Sequence, residues 1–403
     1  MTGPEIVSFS APSDLLFGAG SINELGTACR AAGIRHALLV TDGGIAARGL
    51  HATACASLTA SSVETSVFSE VVADPPTEVI LAAVAAARRA GCDGVVGFGG
   101  GSSMDAAKLV AVLLCGEQPL DEMYGVDRVR SRRLPLIQVP TTAGTGSEVT
   151  MVAVVTTGRT TKMGVVSRTL LADRVILDPE LTLSMPAPVT AATGIDAMVH
   201  AIEAYTSARL KNPLSDTLAR EALRLLAANI ERAVTAPQDL AARGAMLLGA
   251  MHAGQAFANA PVAAVHALAY PLGGNYHLAH GLSNSLVLPH VLRFNAPAAE
   301  PLYRELLPLV VPAADGSQAV VSRSDGQATD SDAAEGDAAA RLAAHFHALA
   351  DRLGLATRLR DFGIPRADLP RLAAEALQQQ RLLVNNPRVV GEADALAIYE
   401  SAY

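Results

Sequence analysis

The chain has 403 residues, half of them hydrophobic and only 17% charged, with a formal net charge of −8. That length exceeds what one growing core supports, so two domains are expected. The negative charge argues against nucleic acid or an anionic membrane surface as the main partner, and no apolar run reaches the roughly 20 residues that span a bilayer.

From residue 1 to about 185, short β-branched runs alternate with helical patterns. Strands are expected at His36–Thr41, Gly94–Phe98, Leu136–Val139, Met151–Val155 and Arg174–Leu177, and helices at Ile22–Ala32, Glu78–Ala90 and Met104–Cys115. Such alternation implies a largely parallel sheet with helices on its faces. From Pro186 onward the segments Ala187–Ser207, Leu214–Val234, Asp239–Phe257, Ala339–Leu353 and Asp368–Leu383 are Ala/Leu-rich with helical period, which reads as an all-α domain over 186–403. Residues 313–338, rich in Ser, Asp, Gly and Ala, cannot bury enough surface to offset their ordering entropy and are expected to form a flexible surface insertion.

Cys29, Cys55, Cys92 and Cys115 form no CxxC pair, and no signal-peptide pattern opens the chain. Free thiols in a soluble cytoplasmic protein are therefore expected. Lysine is rare: Lys108, Lys162 and Lys211 stand among 31 basic residues. Each is either a compact point charge kept for a role or a remnant of compositional drift.

Three segments read as a nucleotide site. Gly99-Gly100-Gly101-Ser102 follows the strand at Gly94 and opens the helix that carries Asp105 and Lys108. Missing Cβ atoms let backbone approach a pyrophosphate, and the helix N-terminus faces it with free N–H groups. The spacing matches neither GxGxxG nor the P-loop, yet its place at the C-terminal end of a parallel strand is where α/β sheets bind ligands. Asp42, ending the strand at His36, could accept hydrogen bonds from a ribose and repel a 2′-phosphate, or could simply cap a turn. The Ser/Thr/Gly loop of Thr141, Thr142, Thr145 and Ser147 suits a nucleotide lining.

A second constellation reads as a metal site. Asp196 and His200 sit one helical turn apart and project from one face, and His266 and His280 follow in a histidine-rich stretch. One carboxylate with imidazoles suits a divalent first-row ion, Fe(II) or Zn(II). Beside the glycine loop this indicates a metal-dependent enzyme with a nucleotide cofactor.

The segments GGGSSMDAAK, VPTTAGTGSEVT, LDPELTLSMP, ATGIDAMVHAIEAY and HALAYPLGGNYHLAHGLSNSLVLPHV resemble the iron-containing (group III) alcohol dehydrogenase family over roughly residues 10–300, with a weaker tail match at Asn385-Asn386-Pro387-Arg388. The resemblance implies a dehydroquinate synthase-like fold: an α/β dinucleotide-binding domain with a parallel sheet (1–185) and an all-α metal-binding, catalytic domain (186–403). It implies that Asp196, His200, His266 and His280 are the metal ligands. Gly99, Gly100, Gly101 and Ser102 would hold the NAD pyrophosphate, with Asp42 selecting NAD over NADP. Thr141, Thr142, Thr145, Ser147 and Lys162 would contact the cofactor, Asp105 would either do so or cap its helix, and Phe257 would line the substrate cleft.

Many members carry a histidine four residues after the third ligand, where this chain has Tyr270; a phenol there can donate a hydrogen bond to substrate or relay a proton. His277 is expected to be a cleft or surface residue, and His252 a satisfied helix histidine. The implied activity is hydride transfer between an alcohol and NAD, with the metal as Lewis acid, in a cytoplasmic homodimer or larger homo-oligomer. Tyr270 also suits the hydroxyacid–oxoacid transhydrogenase branch, while PTTAGTGSE departs from the PTTYAGSE usual in maleylacetate reductases.

Overall fold

Short β-branched runs become inner strands when helices cover both faces of their sheet, so that every side chain is buried. The computed structural model describes residues 6–158, 161–311 and 338–403. Among these the strands are β1 (Asp14–Phe17), β2 (His36–Asp42), β3 (Glu64–Val71), β4 (Gly94–Gly99), β5 (Gly125–Val126), β6 (Leu136–Pro140), β7 (Val152–Thr157), β8 (Thr161–Val166) and β9 (Arg174–Leu177). Six form one sheet in the order β1-β9-β6-β4-β2-β3, with every pair parallel.

The helices of this half are α1 (Leu25–Ala31), α2 (Gly43–Ala47), α3 (Ala52–Ala60), α4 (Thr77–Ala90) and α5 (Gly101–Leu113). Alternation along β4 sends Val95 into the core shared with α4 and α5, and Val96 and Phe98 into the core on the α1 and α3 face. The helix expected at Ile22–Ala32 is a 3₁₀ turn, Ser21–Glu24, leading into α1.

Two strand expectations need correcting. The Met151–Val155 run lies in β7, outside the parallel sheet, in a second sheet ordered β5-β8-β7 where β7 and β8 are antiparallel. The link from Thr157 to Thr161 is far too short for a parallel crossover. β3 escaped the sequence reading because it is the polar, half-exposed edge of the sheet and carries no apolar run.

The second half consists of α6 (Ala187–Thr206), α7 (Pro213–Thr235), α8 (Leu240–Asn259), α9 (Ala264–Tyr276), α10 (His280–Val310), α11 (Ala338–Arg352), α12 (Leu369–Ala376), α13 (Gln380–Leu383) and α14 (Glu392–Ala402). The single helix expected over Asp368–Leu383 is broken into α12 and α13. The insertion expected over 313–338 lies outside the described residues except for Ala338, which is the buried first residue of α11. One hydrophobic core runs from β2 and β4 through α5 into α6–α14, so the two halves share a continuous interior. No helix among the described residues is long and apolar enough to cross a membrane.

Candidate active site

Helix α6 carries Asp196 and His200 on one face, α9 brings His266, and the first residue of α10 is His280. One ligand atom from each lies within 4.8 Å of the others. The Nε2 atoms of His200, His266 and His280 stand 3.9, 3.9 and 3.7 Å from Asp196 Oδ1. Close helix contact sets this spacing: a Cβ on Gly281 would fall 2.3 Å from the Ala192 carbonyl oxygen, so only glycine lets α10 approach α6 here.

Burial drives the proton off His200 and His280, lowering their pKa values to about 3 and about 4. Burial pushes the Asp196 carboxyl up, but the three imidazoles and the Asn284 amide together hold it below the ordinary range. At neutral pH the cluster thus offers one carboxylate and, on His200 and His280, imidazoles with free lone pairs. The group facing these acceptors is the Asn284 amide, whose Nδ2 donates to Asp196 Oδ1 at 2.6 Å and lies 3.3 and 3.4 Å from the Nε2 atoms of His266 and His280. A partial positive charge at that point is what such a donor set demands, and a divalent cation meets the same demand more fully.

The glycine loop lies across a cleft from this cluster. Gly99, at φ +152, is in a conformation that L side chains rarely adopt, and a Cβ there would meet Ser103 at 2.7 Å. Gly100 caps α5, and Gly101 and Ser102 line two cavities. One, about 510 Å³, is bordered by Asp42 and Ser103; the other, about 870 Å³, runs past Thr145 and Ser147 to His200, His266 and His280. Asp42 accepts from Ile45 N at 2.9 Å, so it caps α2 while facing the smaller cavity. Thr141 is buried behind the loop with its N–H on the Gly99 carbonyl at 2.9 Å, and Thr142 stands beside Gly100.

Residues 190–403 match the profile described as Fe-containing alcohol dehydrogenase family, C-terminal, and residues 12–179 match iron-containing alcohol dehydrogenase. The chain belongs to the iron-containing alcohol dehydrogenase family. Long-chain-alcohol dehydrogenase 1 of Geobacillus thermodenitrificans (strain NG80-2) is 39% identical over 389 residues, 96% of this chain and 94% of that protein. The crystal structure of a 1,3-propanediol oxidoreductase superposes with a TM-score of 0.91 at 34% identity, covering 99% of this chain and 100% of its own. The sulfoacetaldehyde reductase from Bifidobacterium kashiwanohense, solved in complex with NAD+, gives 0.83 at 27% identity over 99% of each chain. The family and fold expected from the motifs are both borne out, and the chain is an oxidoreductase of this family.

Within this family frame, Asp105 neither caps α5 nor stands free. Its Oδ1 accepts from Ser147 Oγ at 2.5 Å and from Lys108 Nζ at 3.3 Å, and its Oδ2 from Val154 N at 2.9 Å. Lys108 is fully buried, and its ammonium also donates to Ser147 Oγ, Thr150 Oγ1 and the Val152 carbonyl at 2.7, 3.1 and 2.6 Å. Burial lowers its pKa, against the pull of Asp105. This knot ties α5 to the 145–152 loop.

Phe257 stacks on His200 with ring centroids 4.4 Å apart and lines the larger cavity. Tyr270 lines it too, 6.1 Å from the His280 ring, with Lys162 Nζ 5.6 Å from its own centroid. Burial raises the Tyr270 pKa, keeping the phenol protonated. His277 is the exposed left-handed cap of α9, away from the cluster. His252 is not the satisfied histidine expected: its buried Nδ1 has no partner.

Sequence reasoning missed Glu203, Asn284 and Arg381. Glu203 is three residues beyond His200 on the same face of α6, and Asn284 four beyond His280 on α10. An acid in the apolar run HAIEAY was the available signal for the first.

Proposed function

We propose that the chain is a metal-dependent alcohol dehydrogenase and aldehyde reductase that passes hydride between an alcohol carbon and NAD(H). The carrying observation is that four ligand atoms converge and that three of their residues, His200, His266 and His280, line the same cavity as Gly101 and Ser102 of the glycine loop. A divalent ion, Fe(II) or Zn(II), supplies Lewis acidity toward the substrate oxygen, and the nicotinamide supplies the hydride acceptor.

The chain's own residues hold, orient and exclude. Asp196, His200, His266 and His280 hold the ion with a single negative charge, leaving the site net positive for an oxyanion. The N-terminus of α5 with Gly99, Gly100, Gly101 and Ser102 receives the pyrophosphate, and Asp42 faces the ribose. Thr141, Thr142, Thr145, Ser147 and Lys162 complete the cofactor lining, with Asp105 acting through Ser147. Phe257 and Tyr270 wall the reacting carbon from water, and the neutral Tyr270 phenol is placed to donate a hydrogen bond. On this reading residues 1–185 form the cofactor domain and 186–403 the metal domain of a cytoplasmic homodimer or larger homo-oligomer.

Purified protein reconstituted with Fe(II) or Zn(II) is expected to reduce short aldehydes with NADH and to oxidise the matching alcohols with NAD. A folded, metal-loaded protein inert toward every alcohol and aldehyde tried would remove this reading. Tyr270 also fits a hydroxyacid–oxoacid transhydrogenase, which would turn over without added NAD.

A further inference from the structure

The cations lining the larger cavity are unequally neutralised. Lys162 Nζ is 2.8 Å from Asp74 Oδ1, and Lys211 Nζ is 2.6 Å from Asp216 Oδ1. Arg168 bonds the Ser8 hydroxyl, and Arg209 is exposed to solvent. Asp105, which lines the same cavity, is held by Ser147, Lys108 and Val154 N.

Arg381, on α13, lines the same cavity and takes part in none of the ion pairs found among the described residues. Its guanidinium lies against the β8 backbone, 3.2 Å from where a Cβ on Gly164 would sit, and engages the Tyr270 phenol. Tyr270 in turn tilts against His280 with ring centroids 6.1 Å apart. A fork of N–H donors with no counter-ion thus faces the cavity one aromatic ring beyond the metal ligands, a spacing that a short carbon chain spans.

We propose that Arg381 recognises an anionic group on the substrate, so that the preferred substrates are small aldehydes or alcohols carrying a carboxylate or sulfonate at the end remote from the reacting carbon. The inference rests on the oxidoreductase reading and specifies its substrate class. A guanidinium binds either oxyanion in a bidentate, charge-assisted pair, and the cluster, net positive once it holds a divalent ion, would add attraction in the same cavity. A neutral substrate of equal length would leave this fork unpaired.

The test compares kcat/KM for 4-oxobutanoate and butanal, a chain-matched pair, in wild type, R381L and R381K. Wild type is expected to favour the oxoacid by at least about tenfold, from the strength of a charge-assisted pair. R381L should collapse that ratio by roughly 10- to 100-fold through the KM of the oxoacid, and R381K should restore part of it. A wild-type preference for butanal, or an unchanged ratio in R381L, overturns the proposal. So does a rise in the KM for NADH with no change in the ratio, which would place Arg381 on the cofactor.

Succinate titrated calorimetrically into the metal-loaded protein gives a readout that needs no turnover. Binding weakened at least about tenfold by R381L supports the anion site, and equal binding rejects it. Absence of turnover with both aldehydes alongside Arg381-dependent succinate binding would instead reject the dehydrogenase reading alone.

Discussion

Glu203 Oε2 lies 2.6 Å from His266 Nδ1, while its other oxygen accepts from Val265 N at 2.6 Å. The carboxylate therefore anchors both the His266 ring and the backbone just before it, leaving Nε2 on the Asp196 side. Such outer partners fix the tautomer and raise the basicity of a ligating imidazole, typically worth 10- to 100-fold in metal affinity. Glu203→Gln should weaken Fe(II) or Zn(II) binding by about that factor with the helical content unchanged. Chelator competition reads the affinity directly, and an unaltered dissociation constant would show that Glu203 serves packing only.

Asp42 faces the cavity beside the glycine loop and caps α2 through Ile45 N. Asp42→Ser keeps a capping oxygen and removes the charge, so stability should fall by no more than about 1 kcal/mol. The ratio of kcat/KM for NADPH to that for NADH should rise by at least about tenfold, since the charge repels a 2′-phosphate. A ratio that stays fixed would assign Asp42 to capping alone.

The ammonium of Lys108 has four acceptors, and it ties α5 to the 145–152 loop. Lys108→Met keeps the volume but strands Asp105 as a carboxylate without its cation. Breaking one partner of a buried pair costs roughly 3–5 kcal/mol. Urea unfolding should show a loss of that order, and the KM for NADH should rise as the loop loosens. A loss below about 1 kcal/mol would mean that the network is redundant.

The Asp196–His200 pair and the parallel sheet were legible in the sequence through local periodicity, whereas His266 and His280 entered as ligands only through the family resemblance. The i,i+4 spacing puts Asp196 and His200 on one face of α6, and the apolar runs of β2, β4, β6 and β9 announce inner strands. What the sequence hid depends on pairing across distance. Glu203 meets a residue 63 positions away, and the charge state of the Arg381 neighbourhood follows from which acids Lys108 and Lys162 already occupy. β3 was hidden by its polar edge face, and α10 by the prolines 289, 297, 301 and 308 within it. The antiparallel β7–β8 pair resembled another alternating strand until its short link was set against the crossover length.

Glu148 sits in the 3₁₀ turn Ser147–Val149 and is buried, which raises its carboxyl from 4.5 to about 7. Below pH 4.5 the group is protonated in both folded and unfolded chains. As pH rises from there toward about 7 the unfolded chain ionises first, so the folded state binds the extra proton and loses relative stability. The contribution is complete below the unfolded value and gone once pH passes the folded one. Unfolding free energies of wild type minus Glu148→Gln should therefore decline by roughly 3 kcal/mol over that window and level off above it. A difference that does not vary with pH would contradict the buried, proton-retaining carboxyl.

The central claim is that Asp196, His200, His266 and His280 hold one divalent ion that the reaction requires. Anaerobic calorimetric titration of Fe(II) or Zn(II) into wild-type, Asp196→Asn and His266→Ala proteins, with aldehyde reduction assayed on the same samples, tests it most directly. One ion per wild-type chain is expected, with binding weakened at least about 100-fold in either variant and turnover lost in step with the metal. Wild-type protein that takes up no ion, or variants that bind and turn over as wild type does, would contradict it.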